Sequence, residues 1–209
     1  VVLGWRENKK NLINVERTTM WLRPAFEIGI WNAWIFMSYL LLSFVFFTYI
    51  AIKRGAPSHN ESGLSRSEKI VAFSSKLILL PALVYSIFLP LKLGTMWFFI
   101  GLPIVLIGLI AYTVVLINWA TTPLGEPVSR GLYRYSRHPM YVTTFIFFIG
   151  LGIATASWVI LLYSILLVVS CIVFADAEEQ GCLNKYGNAY RKYMNRTPRW
   201  IGMPTSREN

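Results

Sequence analysis

Charge is scarce in this chain. Only 14% of its 209 residues are Asp, Glu, Lys or Arg, against about 25% in a typical soluble domain. Hydrophobic residues make up 55%, aromatics 15%, and the mean hydropathy is +0.50. That balance excludes a soluble enzyme, a disordered chain and a coiled coil, and leaves a small integral membrane protein. At this length the expectation is one compact helical bundle. Acidic residues are scarcer still: 10 against 20 Lys and Arg, for a net charge of +10 and a pI near 9.8. In a soluble protein such an excess points to nucleic acid. Here no aromatic-rich basic stripe or zinc-finger spacing supports that, and basic residues flanking membrane spans account for it. Cysteine is nearly absent. Cys171 and Cys182 fall on or near one helix, ~16 Å apart at helical rise, too far for a disulfide. Two cysteines and two histidines give no recognisable metal spacing, so no metal is expected. The first twenty residues are polar and lack an apolar core, so no cleavable signal is read there.

What the chain does have is apolar runs. Five approach the length of a bilayer span: about 29–52, 70–91, 96–117, 139–156 and 158–176. The second carries Lys76, read as a snorkelling residue, with Pro81 and Pro90 as kink sites. The fourth begins at Pro139, suited to a first helical position. Almost no linker separates it from the fifth, so the two form a tight helical hairpin, with Gly150 and Gly152 permitting close approach. Residues 1–28 form a polar, interfacial segment, and 29–117 hold three spans. From Glu178 the chain turns polar, basic and aromatic, and is expected to extend the fifth helix before lying along the membrane surface. No repeat or low-complexity segment is present.

Five spans put the loops 53–69 and 118–138 on the same face as the C-terminal tail. That face holds Lys53, Arg54, Arg66, Lys69, Arg130, Arg134, Arg137, Lys185, Arg191, Lys192, Arg196, Arg199 and Arg207. The other face holds Arg6, Lys9, Lys10, Arg17, Arg23 and Lys92. The excess places the tail in the cytoplasm.

Two polar clusters share that face. One is the loop from Gly125 to Tyr141, with Arg134, Arg137 and His138; the other is Asp176, Glu178 and Glu179 at the end of the fifth run. The hairpin makes them neighbours, so a basic and imidazole group meets an acidic one where membrane meets water. Each piece has an ordinary reading. Arg134 and Arg137 can contact lipid head groups, Glu178 and Glu179 can be a solvated helix end, His138 an N-cap, and Tyr133, Tyr135 and Tyr141 belt aromatics. Acidic groups at a helix C-terminus oppose its dipole, however, and call for a partner.

Together these residues carry a resemblance. Gly131, Tyr133, Arg137-His138-Pro139 and Tyr141, followed by a hairpin, Glu178-Glu179, Leu183, Tyr186-Gly187, Tyr190, Tyr193 and Pro198-Arg199, form a pattern. It resembles the isoprenylcysteine carboxyl methyltransferase and phospholipid methyltransferase superfamily of integral membrane enzymes. The resemblance spans 118–201 and implies that 118–209 is the catalytic core: cofactor loop, hairpin and tail. It implies S-adenosylmethionine as cofactor, contacted by Gly125, Glu126, Pro127, Val128, Tyr133, His138, Pro139, Met140, Tyr141 and Glu178. Arg137, His138, Glu178 and Glu179 are the implied catalytic group. The implied partners are a lipophilic or lipidated acceptor, either a prenylcysteine carboxylate or a phospholipid amine, and the surrounding lipids. Free N–H groups at the start of the fourth helix suit a carboxylate, and Glu178 suits a cation or a ribose hydroxyl. The aromatic faces suit a sulfonium or adenine. Isoprenylcysteine enzymes typically carry an arginine one turn before the Glu pair; here Phe174 stands there, with Arg134 or Arg191 as substitutes.

Two other readings compete. Membrane sterol and steroid reductases that use NADPH have a similar C-terminal architecture, with Asn where this chain has Met140. A non-catalytic membrane protein, such as a small transporter, is the other. Transport calls for charge near mid-membrane, and spans one, three, four and five have none in their interiors.

Overall fold

The computed structural model describes residues 26–55 and 79–205. Within them the fold is helical and contains no strand, only an isolated antiparallel bridge between Asn32 and Pro90. Helix α1 is Trp34–Lys53; residues 79–87 are the described part of α2; α3 is Met96–Ala120. A 3-10 turn, Gly131–Arg134, precedes α4, Pro139–Ala154. Then come α5, Trp158–Tyr186, and α6, Asn188–Arg196.

Three of these helices, α1, α3 and α5, are long and apolar enough to cross a membrane. α4 departs from the expected span. Its 16 residues rise ~24 Å, short of the ~30 Å hydrocarbon layer. It ends where Thr155 Oγ1 turns back on Leu151 O at 2.7 Å and Ala156 adopts a φ of 49°. The second run also ends early: its helix stops at 87, and Leu91 N–H pairs with Trp31 O at 3.1 Å in extended chain. Pro90 therefore lies past that helix. Lys76 and the loop basic residues Arg66 and Lys69 lie outside the described residues.

Polar side chains start two of the three long helices, α3 and α5. Thr95 Oγ1 accepts from Phe98 N–H and Ser157 Oγ from Ile160 N–H, both at 3.4 Å, meeting orphan donors of the first turn. The core is built chiefly between α3 and α4, where Val105, Leu116, Phe147, Phe148 and Leu151 are fully buried. Glycine makes this approach possible. A Cβ on Gly101 would lie 2.2 Å from Ala154 N, on Gly108 2.7 Å from Phe147 N, and on Gly150 2.5 Å from Val105 N. The two backbones touch along this line, as small residues allow in membrane helices. Gly150 thus serves the α3 contact, and Gly152 alone faces α5, through Leu161.

α5 is longer than its apolar run. Counted from Trp158, Glu178 is reached after ~30 Å of rise, so the Glu pair emerges where the span ends. It lies two turns before the helix terminus, not at it. Gly187 (φ 54°) breaks the helix, and α6 turns back with Tyr190 and Tyr193 buried. The tail does not continue away along a surface. Pro198 O accepts from Arg137 N–H, and Gly202 N–H donates to Tyr135 O, both at 3.0 Å. The tail folds over the turn that leads into α4.

Candidate active site

His138 sits at the N-cap of α4 with φ −122° and ψ 54°, outside the helical region. That backbone directs its ring at α5. Nδ1 lies 3.2 Å from Glu178 Oε2, and Nε2 lies 3.1 Å from Glu179 Oε1. The ring is buried and stacks on Tyr141, with centroids 5.5 Å apart and planes 5° from parallel. Tyr141 in turn donates its hydroxyl to Glu178 Oε1 at 2.6 Å. One imidazole therefore bridges two adjacent carboxylates.

The two carboxylates have different surroundings. Glu179 is buried, and its Oε1 also lies 3.1 Å from Arg137 Nη1 and 3.3 Å from Arg199 Nε. Three cationic or imidazole groups converge on one oxygen, which answers the need for a partner. Glu178 is more open, with 36% of its side chain exposed. It is the member of the pair that an incoming group can reach. Arg199 also binds Asp176, and that hydrogen bond, the largest influence on it, raises its basicity further. Burial holds the phenols of Tyr133, Tyr190 and Tyr193 well above the ordinary tyrosine range, so they remain donors.

The structure thus brings together Arg137, His138, Tyr141, Glu178 and Glu179. Pro139 starts α4 beside them, and Met140 packs against the core. Tyr133 is linked to the group through its carbonyl, which accepts from Tyr193 at 2.8 Å. Among the described residues, Gly125, Glu126, Pro127 and Val128 make no direct contact with that group through hydrogen bonds or ion pairs, and Gly125 and Glu126 are exposed. The free donors expected at the start of α4 shrink to one. His138 N–H goes to Ser136 Oγ, Tyr141 and Val142 N–H return to His138 O, and proline has none. That leaves Met140 N–H.

Residues outside the expected catalytic and cofactor-binding sets also appear. Arg199, not Arg134 or Arg191, joins Arg137 at the Glu pair; both of the latter are exposed. Trp200 packs on His138 with centroids 5.6 Å apart, and Asp176 anchors Arg199. The Pro198-Arg199-Trp200 run was the available signal, but nothing in sequence spacing showed that the tail returns. Cys171 and Cys182 are free thiols. No cluster of metal-ligating side chains occurs among the described residues. A shallow apolar hollow of about 510 Å³ lies between Phe26, the α2 residues Leu80, Pro81, Val84 and Tyr85, and Phe88 just past the helix. Tyr85 reaches Ser157 at 3.4 Å, which puts the hollow at the opposite end of the bundle from the His138 group.

Residues 91–189 match the family model of the phospholipid methyltransferases, within the superfamily that also holds the isoprenylcysteine carboxyl methyltransferases. The match takes in α3, the loop, α4 and α5, and stops before Tyr190. No curated protein and no solved structure matches the chain.

Proposed function

We propose that this chain is a membrane-embedded methyltransferase that moves a methyl group from S-adenosylmethionine to a lipophilic acceptor. The phospholipid methyltransferase match supports the reaction class. The observation that carries the assignment to residues is His138 held between Glu178 and Glu179 at 3.2 and 3.1 Å.

The side chains fit the cofactor best at its cationic end. Glu178 is an accessible carboxylate in contact with His138 and Tyr141, and Trp200 packs on the His138 ring; both features suit a sulfonium or ammonium. Met140 N–H at the start of α4 is a single donor for an anionic end. Gly125–Val128 enter this reading as the part of the loop that the resemblance assigns to the cofactor. S-adenosylmethionine, when bound, supplies an activated methyl group. The chain's part is to align donor and acceptor, which can lower a barrier by several kcal/mol, and to hold them where water is sparse. Glu179 keeps Arg137, His138 and Arg199 in register. Glu178 faces the incoming cation. An amine acceptor must be deprotonated before it attacks, and Glu178 is the carboxylate placed to receive that proton.

A phospholipid amine is the preferred acceptor and a prenylcysteine carboxylate the other. Phe174 stands where the isoprenylcysteine enzymes carry arginine, and Arg137 and Arg199 come to the Glu pair from the loop and the tail instead. The active face is assigned to the cytoplasm from the distribution of basic residues. Purified protein, labelled S-adenosylmethionine and a membrane lipid extract supplemented with a prenylcysteine decide the matter. Label is expected in an amine-bearing phospholipid; label in no lipid acceptor overturns the reading.

A further inference from the structure

The turn that aims His138 is held by the tail of the chain. Tyr193 donates its hydroxyl to Tyr133 O at 2.8 Å and approaches Ser136 O at 3.3 Å. Ser136 Oγ accepts from His138 N–H at 3.1 Å and donates to Arg199 O at 3.4 Å. Arg137 N–H and Tyr135 O, on either side of Ser136, bond to Pro198 and Gly202. Tyr193 is buried, and it follows Tyr190 on the inner face of α6, with ring centroids 5.6 Å apart. Its hydroxyl is therefore fixed by a packed helix rather than by the turn it holds.

His138 has no side-chain cap bond, and it lies outside the helical backbone region. Its ring direction depends on the backbone of 133–138. A small rotation there would separate both nitrogens from their carboxylates, since each contact is already 3.1–3.2 Å long. We propose that Tyr193 and Ser136 are positioning residues: their hydroxyls couple the tail to the turn and so aim the His138 ring between Glu178 and Glu179. This rests on the reading of the His138 group as the methyl-transfer site. Tyr193 lies beyond the matched segment, so the segment 91–189 holds the reacting groups and the tail sets their geometry.

Nitrogen-15 histidine labelling tests this directly. The chain has two histidines, His59 and His138, and a His59→Gln protein assigns the remaining imidazole resonances to His138. In Tyr193→Phe, which keeps the ring, the His138 imidazole resonances are expected to shift. Methyl-transfer kcat/KM is expected to fall about ten- to a hundredfold, the scale of a misplaced reacting group. Ser136→Ala is expected to shift the same resonances, and it supplies the measurement if Tyr193→Phe does not fold. Tyr190→Phe, whose lost hydroxyl has no hydrogen bond to the turn but feels Arg137 and Glu179 electrostatically, is expected to shift them less than Tyr193→Phe. Unmoved His138 resonances in a folded Tyr193→Phe or Ser136→Ala protein overturn the proposal, whatever the kinetics. If the wild-type protein transfers no methyl group, the functional reading fails on its own, and the resonance shifts still decide the positioning role.

Discussion

His138 Nε2 stands 3.1 Å from Glu179 Oε1, joining the first residue before α4 to a residue two turns from the end of α5. The sequence separates them by the whole hairpin. The contact exists because α4 and α5 run antiparallel, and because α5 continues beyond its apolar stretch and carries its carboxylates to the boundary. The same oxygen holds Arg137 and Arg199. Glu179 is thus a structural hub, and Glu178 is the accessible neighbour. That division of labour gives two separable expectations.

Glu179→Ala leaves Arg137, Arg199 and His138 without their common anion. Removing one member of a buried ionic group typically costs about 3 kcal/mol or more, because the remaining charges stay desolvated. Thermal unfolding in detergent is expected to show a marked drop in Tm. A Tm equal to wild type would mean that solvent already screens these charges.

Glu178→Ala leaves the Glu179 interactions in place and removes the carboxylate that faces an incoming cation. Affinity for S-adenosylhomocysteine, measured by calorimetry, is expected to weaken at least about tenfold, the scale of one lost charge-assisted hydrogen bond. Tm is expected to fall less than in Glu179→Ala. Unchanged affinity would remove Glu178 from the cofactor site.

The hairpin, the Glu pair and the Arg-His-Pro run were legible in the sequence because each is local: a proline at a helix start, two apolar runs with no linker, an acidic pair after the second. Their meeting followed from topology alone. Arg199 and Trp200 were not legible as site residues, because their place depends on Gly187 breaking α5 and on α6 turning back, a long-range outcome without periodic signature. The fourth run extends to 156 in sequence because no proline or charge immediately follows Ala154, yet the backbone turns at Thr155 and Ala156. Gly125–Val128 entered through resemblance, and whether a bound cofactor reaches from them to His138 depends on tertiary geometry that no local pattern encodes.

Gly101→Ala tests the packing that holds the hairpin against α3. The added Cβ would lie 2.2 Å from a backbone nitrogen of α4, so no side-chain rotation relieves it. Overpacking typically costs about 1–3 kcal/mol, the upper end where the obstacle is backbone, and the yield of folded, detergent-stable protein is expected to fall sharply. Gly125→Ala is the contrast. Nothing lies within 4 Å of its Cβ, but its φ of 84° is unfavourable for alanine, a cost of about 1 kcal/mol. Wild-type stability in Gly101→Ala would show that α3 and α4 can separate without loss.

The buried phenols predict an alkaline limit. Tyr133, Tyr190 and Tyr193 have folded-state values raised above the ordinary 10.0, in each case chiefly by burial. A raised value means that the folded state keeps its protons when the unfolded chain has lost them. The stabilisation is therefore complete below the unfolded value and declines as pH rises past it. Tm is expected to be insensitive to these three groups up to about pH 10 and to fall above it, with their share of the phenolate absorbance appearing together with unfolding rather than before it. Tyr193→Phe should weaken that dependence, since one buried phenol no longer titrates. Phenolate absorbance from all the tyrosines well below the unfolding transition would show that the tail does not seal the turn, and with it the enclosure of His138 would be lost.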